Sequence, residues 1–404
     1  MSFSYGSDMD VFYRQYNSYR ILLSIVGLWP YHKSVYSTIH RISISVTLFA
    51  FIVFQVLSLF KAGITFRGCI VTLSATCPVM VFFMRYVSSV AMFPVNIYLF
   101  DNLRTIDTML KDELEVQILM KYIDYSTYII SIFLCLCCSW TLFTASYVFA
   151  PITLDLLLPL NESRGRYFSY LTMFSHNRVE YVDIVYVNIL VVYTIGLLCL
   201  AGTELLLTVF AHWMCGMFEI TSYRLRKTIA DLSSSRQIDP NFRNFRHVVD
   251  CHRKTLQLVH STIISIRCFF VYVFASSKYP FIPVRCWENV KSSMNLSNAI
   301  ASSNDQTEIF ICGIFVICHI VILYICHYSG QIIIDRSLNV FKESYNSTWY
   351  CMPIEAQKLL LFIMLRSSTE SVIDLFGFFA ASHVGFSKML RTSVSYFTMI
   401  YSLQ

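Results

Sequence analysis

The chain has 404 residues, of which 56% are hydrophobic and only 14% are charged, with a net charge of +6. A soluble domain carries roughly 25% charged residues, so the composition excludes an ordinary soluble protein and indicates an integral membrane protein. The positive charge is spread among loops, which argues against nucleic-acid binding. The sequence has no phosphate-binding loop, nucleophile elbow or metal-ligand spacing, so we expect no enzyme, metal or cofactor.

The first half of the chain contains four apolar stretches long enough to cross a bilayer, at 42–60, 69–93, 128–150 and 184–218. Segment 1–41 has no signal-peptide pattern, so the first stretch inserts the protein. We expect Arg85, in the second stretch, to reach the inner interface by snorkelling. The fourth stretch would form a helix of ~52 Å, longer than the ~30 Å bilayer core, and is expected to emerge and pack on protein. Glu204 within it is a candidate proton relay, or simply a residue paired with a basic neighbour.

The second half is less regular. The expected fifth span, about 256–283, contains Arg267 and two prolines, so either this span is short and irregular or part of 267–294 is an error in the gene model. Residues 309–327 form a clear sixth span. Segment 328–375 should then hold a helix at 353–366, whose apolar run 359–365 we expect to be buried on all sides against other helices. Residues 376–404 form the seventh span.

The distribution of positive charge orients the chain. Segments 1–41, 94–127, 212–255 and 328–375 contain 19 Lys and Arg, whereas 61–68, 151–183 and 277–307 contain 8. The positive-inside rule therefore predicts a cytoplasmic N-terminus and, after seven crossings, an extracellular C-terminus. The glycosylation motifs at Asn161 and Asn295 would lie outside. This orientation is opposite to that of G-protein-coupled receptors.

The final stretch carries polar residues at steps of three and four, which form one face of a helix: Lys388, Arg391, Ser395, Thr398 and Ser402. A polar stripe inside a membrane lines water or packs against polar partners. We interpret it as a pore lining, with Met399 and Leu403 as a gate that closes by dewetting. The alternative is a polar seam buried between helices of one subunit. We place Lys388 and Arg391 at the cytoplasmic vestibule, or paired with Asp374 or Glu370.

The outer halves of the second, third, fourth and sixth spans bring aromatic, methionine and hydroxyl side chains to one depth. Such walls suit a small, mostly apolar ligand that needs few directional contacts. The alternative for any one of them is ordinary interhelical packing. The candidates are Thr76, Met80, Phe83, Trp140, Phe143, Thr144, Tyr147, Tyr186, Ile189 and Tyr193, with Phe310 as a further possibility.

The C-terminal region resembles the insect odorant receptors. The similarity is carried by Ser395-Tyr396-Phe397-Thr398 near the end, by Ser329-Gly330-Gln331, and by Trp349-Tyr350 ahead of Pro353. The second cytoplasmic loop is short, so the chain is similar to ligand-tuned members of that family and not to their shared co-receptor, which has a long insertion there.

The resemblance implies an all-α fold with seven transmembrane helices, divided into a cytoplasmic segment (1–41), six helices with their loops (42–327), cytoplasmic anchor helices (328–375) and a pore-lining helix (376–404). It implies an odorant-binding subunit of a non-selective cation channel, assembled as a heterotetramer with the co-receptor in the plasma membrane of olfactory dendrites. Trp349, Tyr350 and Tyr396 are the candidates for subunit contact. The alternatives are a gustatory receptor of the same superfamily and a metabotropic seven-helix receptor.

Overall fold

The computed structural model describes residues 17–31, 35–62, 66–107, 110, 112–158, 182–234, 239–276, 306–375 and 379–402. Within these ranges the chain is almost entirely helical. The helices are α1 (Asn17–Ile25), α2 (Val35–Ala62), α3 (Phe66–Ala91), α4 (Phe93–Asp107), α5 (Glu113–Leu157), α6 (Val182–Ser234), α7 (Asp239–Ser276), α8 (Gln306–Asn346), a 3₁₀ turn (Trp349–Cys351), α9 (Ile354–Ser367) and α10 (His383–Ser402).

Three of the described helices contain segments long and apolar enough to cross a membrane: Val35–Leu57 in α2, Glu113–Ser146 in α5 and Val187–Leu232 in α6. A fourth crossing is added if the bent pair Pro78–Ala91 and Phe93–Leu103 counts as one broken span. The expected sixth and seventh spans coincide with helices α8 and α10. The expected fifth falls at the end of α7, and its remainder lies outside the described residues.

Helices α3 and α4 are one helical path broken by a bend of 63°. Pro94 stands in the first turn of α4, where its missing N–H costs nothing, but it cannot donate to a carbonyl of α3 and so prevents a continuous helix. The break is bridged by the backbone bond from the Asn96 N–H to the Met92 carbonyl, at 3.0 Å. Because of the bend, α4 leaves the direction of α3 at the end of α3 that lies beside the first turns of α2.

Helix α6 is the centre of the fold, and it packs against α2, α3, α5, α7 and α8. Its 53 residues span ~80 Å, far beyond the bilayer core. The part beyond Glu204 is buried against protein, with Leu205 and Phe218 both 0% exposed and Trp213 1% exposed. The expectation that the continuation of this helix packs on protein is confirmed, and the helix is longer than its apolar stretch.

The C-terminal region is more elaborate than expected. The last helix begins at His383 rather than at 376, and a two-stranded antiparallel pair precedes it, with Asp374 opposite Ala380 and Leu375 opposite Phe379. The expected helix at 353–366 is present as α9. However, the expectation that its apolar run is buried on all sides is wrong for the single chain, because Phe362 is 70% exposed and Leu365 72% exposed.

Candidate functional site

An aromatic wall lies where α2, α3 and α6 meet. The Tyr193 ring of α6 contacts the edges of Phe51 and Phe82, each with a centroid separation of 6.4 Å. The next residue on α3, Phe83, contacts Phe49 of α2 with a centroid separation of 5.7 Å. Edge-to-face packing of this kind adds about 0.5–1.5 kcal/mol per pair to the area buried and fixes ring orientation.

The structure separates the predicted ligand-binding residues into three environments. Thr76 is 5% exposed, while Phe83, Ile189 and Tyr193 are partly buried against the core. Met80 and Phe143 are exposed in the single chain, at 48% and 37%, and Trp140 contacts Phe143 on α5 at 5.9 Å. The Thr144 hydroxyl donates to backbone carbonyls of its own helix, Trp140 and Thr141, both at 3.0 Å. The side chains of Tyr147, Tyr186 and Phe310, and residues 159–181 and 277–305, lie outside the described part of the chain.

Gly196 allows the aromatic wall to form, and the sequence analysis missed it. A Cβ atom at Gly196 would lie 2.1 Å from the Phe82 ring, so the ring packs directly on the α6 backbone. A glycine inside an apolar helical stretch costs about 1 kcal/mol relative to alanine, which signals a close approach at this position. Its partner could not be read from the sequence.

A buried ionic network lies about 16 Å along α6 from Tyr193. Arg85 of α3 forms a salt bridge with Glu204 of α6, and the Cys326 thiol of α8 donates a hydrogen bond to the same carboxylate. Arg85 is 5% exposed and Glu204 4% exposed. The expectation that Arg85 snorkels to the interface is therefore wrong, and Glu204 is paired with a basic neighbour, as one of its two interpretations required. Three helices meet at this carboxylate.

The start of α10 is held on α8 directly beside that network. The His327 ring, next along the chain from Cys326, contacts the Phe386 ring at 6.0 Å, and Phe386 also contacts Tyr324 at 5.6 Å. The Gln331 side-chain oxygen accepts a hydrogen bond from the His383 N–H at 3.1 Å, which satisfies one of the free donors at the helix N-terminus. This contact between α8 and the start of α10, called the joint below, therefore combines apolar packing with a hydrogen bond that caps the α10 N-terminus.

Two glycines allow the backbones of this joint to touch. A Cβ at Gly330 of α8 would lie 2.1 Å from the Ala381 carbonyl oxygen, and one at Gly385 of α10 would lie 2.0 Å from that of Ala380. Because the obstructing atoms belong to the backbone, no side-chain movement relieves either clash. The sequence analysis quoted Gly330 only as part of a resemblance, and this contact is its physical role.

The predicted polar stripe of α10 faces away from the rest of the chain. Lys388, Arg391, Ser395, Thr398 and Ser402 are all exposed, whereas Gly385, Met389 and Ser393 are buried on the side that packs against the fold. At 100° per residue the two faces lie about 140° apart. The Thr398 and Ser402 hydroxyls donate to the Ser395 and Met399 carbonyls of the helix, at 2.9 and 2.8 Å. Their oxygen lone pairs therefore remain available to other molecules. The single chain does not bury the stripe as an internal seam.

Met399 is 53% exposed beside the stripe, and Leu403 lies outside the described residues. Tyr350 is 67% exposed, while its neighbour Trp349 packs partly against the core of its own chain. The Tyr396 side chain and the glycosylation motifs at Asn161 and Asn295 also lie outside the described part. The candidate gate and subunit contacts are thus described at Met399, Trp349 and Tyr350.

A second set of ion pairs holds the helical bundle on the N-terminal side of α5. Arg224 of α6 donates two hydrogen bonds of 2.6 Å to the buried Glu115 carboxylate of α5, and Lys227 donates to Asp112 at 2.6 Å. Nearby, the partly exposed Arg336 contacts Glu219 at 2.9 Å. A bidentate arginine–carboxylate pair fixes direction as well as distance, so α5 and α6 are rigidly joined here.

Comparisons with known proteins point to one family. Residues 290–394 match the family model described as 7tm Odorant receptor. No curated protein matches the chain. The chain is similar in structure to the insect olfactory receptor OR5 from Machilis hrabei in complex with eugenol, with a TM-score of 0.75 and 12% identity over 98% of this chain and 100% of that one. A second structure of that receptor gives a TM-score of 0.71 at the same identity and coverage. At this identity the structural likeness shows a shared fold.

Proposed function

We propose that this chain is a member of the insect odorant receptor family, whose model matches residues 290–394, and that it is an odorant-tuned subunit of a ligand-gated, non-selective cation channel. Its partner in the channel is the co-receptor of the family, and the assembly is a heterotetramer in the plasma membrane of olfactory dendrites. The chain crosses the membrane seven times with a cytoplasmic N-terminus and an extracellular C-terminus. The exclusion of ordinary soluble enzymes by composition agrees with a receptor role.

One observation carries the proposal. An unbroken series of contacts runs from the aromatic wall to the pore helix: Phe82 and Arg85 lie one turn apart on α3, Arg85 pairs with Glu204, Glu204 accepts from Cys326, and the adjacent His327 contacts Phe386 of α10. Every link is buried or partly buried. A shift of α3 against α6 at the wall changes the geometry at Glu204 and so reaches α10.

The ligand site lies at the wall, among the predicted residues of α3, α5 and α6. Aromatic rings with few free hydroxyls favour a small apolar molecule that gains mainly from burial. The related Machilis hrabei receptor was solved with eugenol, an aromatic volatile, and we infer that this chain takes ligands of comparable size. The ligand opens the channel only through its greater affinity for the open arrangement of the wall.

The pore is lined by the polar stripe of α10. Because Thr398 and Ser402 turn their hydrogens to their own backbone, they present oxygen lone pairs to the pathway, which suits cations. Met399 and Leu403 form the gate near the outer end, and Lys388 and Arg391 lie at the cytoplasmic vestibule. One chain supplies one such helix, so helices from several subunits are needed to surround the pore.

Exposed apolar residues on the cytoplasmic side mark where those subunits meet. On α9, Leu361 is 54% exposed and Phe362 70% exposed, and the nearby Tyr350 is 67% exposed. We place Tyr350 and Tyr396 in contacts with neighbouring subunits. Trp349 packs within its own chain, and its ring contacts the Tyr350 ring edge-to-face at a centroid separation of 6.3 Å.

The test is whole-cell current under a panel of volatiles that includes eugenol, recorded with G-protein signalling blocked. We expect current from cells that express this chain with the co-receptor and none from cells that express either alone. Current from this chain alone would favour a gustatory-type channel. A response that the block abolishes would refute the channel proposal in favour of a metabotropic receptor.

A further inference from the structure

A groove of about 440 Å³ lies at the bend between α3 and α4, against the first turns of α2. Val90, Ala91, Phe93 and Pro94 supply its floor on the bend, and Arg41 and Val46 supply its α2 side. It lies at the C-terminal end of α3, about 22 Å along that helix from Thr76. None of its lining residues belongs to the predicted ligand-binding set or to α10, although the wall residue Phe49 lies one turn beyond Val46 on α2.

Arg41 is a positive charge in this groove without a carboxylate partner in the part of the chain that the structure describes. Its guanidinium carbon lies 4.4 Å from the centre of the Phe93 ring, and its Nη2 donates to the Thr38 hydroxyl at 3.1 Å. Its Nη1 is buried and makes no hydrogen bond, and no Asp or Glu of the described residues pairs with it. The buried Nη1 thus lacks an acceptor and the guanidinium lacks a carboxylate partner among the described residues, and leaving such a group unsatisfied is costly.

The turn after α1 holds the Arg41 side chain in position. Gly27, in the turn after α1, has φ +75°, and a Cβ there would lie 3.2 Å from the Arg41 Cγ. The turn therefore supports the stem of Arg41, since only a residue without a side chain both adopts this backbone conformation and allows the approach. The Thr38 oxygen accepts from Arg41, so the Thr38 O–H remains free to donate to a ligand.

An apolar lane continues from the groove along α2 into the membrane. Ile39, Ile42, Val46 and Phe49 recur at steps of three and four, so they form one face of the helix. They are 57%, 58%, 58% and 54% exposed. A ligand that fits both features has an anionic head beside Arg41 and a long apolar chain along this face.

We propose that the groove binds one phospholipid with a net anionic headgroup, from the leaflet at the N-terminal end of α2. A phosphate oxygen accepts from Arg41, the Thr38 hydroxyl donates to the headgroup, and an acyl chain follows Val46 and Phe49. A free anion would use Arg41 but not the apolar lane, and a neutral lipid would use the lane but leave Arg41 uncompensated. This inference depends on α2 and α3 crossing the bilayer and not on odorant gating.

The test is native mass spectrometry of the purified full-length chain in detergent, titrated with palmitoyl-oleoyl phosphatidylserine or phosphatidylcholine. We expect one phosphatidylserine to be retained most tightly. Its affinity should fall about tenfold in Arg41→Gln, the loss expected for one charge-assisted hydrogen bond. Ala91→Phe, which fills the floor of the groove without altering charge, should also release it. Arg253→Gln is the matched control, because Arg253 is exposed and pairs within its own helix with Asp250 at 3.2 Å.

Three outcomes would overturn the proposal. The first is equal retention of phosphatidylserine by wild type and Arg41→Gln. The second is an equal loss in Arg253→Gln, which would mean that only the total charge matters. The third is displacement of the lipid by millimolar inorganic phosphate, which would show an anion site without a role for the acyl chain. Correct folding of each variant is checked by the same spectra, because a misfolded chain does not retain its compact charge distribution.

Discussion

Replacing Glu204 by Gln should destabilise the protein strongly, because it removes the carboxylate that forms a salt bridge with the buried Arg85. Arg85 is 5% exposed, and the carboxylate of Glu204 is its salt-bridge partner. Gln keeps the shape of Glu and an acceptor for the Cys326 thiol, but it removes the negative charge. The loss is thus specific to the pairing with Arg85.

The magnitude follows from the burial of both groups. Removing one partner of a buried ion pair costs about 3–5 kcal/mol, whereas replacing both partners by uncharged groups is close to neutral. An arginine at the centre of a membrane helix costs roughly 2.5–3.5 kcal/mol on insertion scales, which agrees in order of magnitude. We therefore expect Glu204→Gln to cost about 3–5 kcal/mol, and the double variant Arg85→Met with Glu204→Gln to recover most of that loss.

The assay is SDS-induced unfolding of the purified chain in mixed micelles, with all four members of the double-mutant cycle measured in parallel. Glu219→Gln is the control substitution, because its ion pair with Arg336 at 2.9 Å is only partly buried, with side chains 23% and 43% exposed. Solvent screening weakens such a pair relative to a buried one, and fully exposed pairs contribute only about 0–1 kcal/mol. A Glu204→Gln loss no larger than that of Glu219→Gln, or a double variant as unstable as the sum of the singles, would refute the reasoning.

Three further substitutions test other parts of the structure. Burial lowers the pKa of His252 from 6.5 to about 4, so the unfolded chain binds the proton first as pH falls. Between pH 8 and 5 the wild type should thus lose about 2 kcal/mol more stability than His252→Phe, and an equal pH dependence would contradict this. Gly330→Ala should reduce odorant current at least tenfold at equal surface expression, because its Cβ meets a backbone oxygen. Gly313→Ala is the control and should leave the current unchanged, because a Cβ there would have no atom within 4 Å. Equal currents from the two variants would contradict a role for the close α8–α10 contact. Gly196→Ala should shift the odorant dose–response curve without altering cation selectivity, because it displaces Phe82 from the wall; an unchanged curve would remove Phe82 from the ligand site.

Local signals in the sequence predicted the elements whose chemistry is local. The helix expected at 353–366 is α9, Ile354–Ser367, because Pro353 fixes its start and the following residues are strong helix formers. The polar stripe of α10 was readable because a period of three and four residues is a property of one helix. The two-residue strands at Asp374 and Phe379 were missed, since so short a pairing leaves no periodic pattern.

Features that depend on distant partners were not predictable in the same way. Arg85 was expected to snorkel because its partner Glu204 lies 119 positions further along the chain, where no local rule connects them. Helix α6 was expected to end near 218, but it continues to Ser234 because its polar continuation is buried by other helices and joined by Arg224 to Glu115. The clash-free approaches at Gly196 and Gly330 likewise depend on tertiary geometry.

The most direct test of the channel account is the accessibility of the α10 stripe in the open state. Ser395→Cys and Thr398→Cys are expressed with the co-receptor and exposed to a cationic, membrane-impermeant methanethiosulfonate reagent, with the wild type as the background control. The account predicts that modification alters the odorant-evoked current within seconds, and many-fold faster with odorant present than without it. Val394→Cys, 54% exposed but about 100° around the helix from Ser395, should be unaffected. Modification that is silent at Ser395 and Thr398, or equally rapid at Val394, would contradict a pore lined by this stripe.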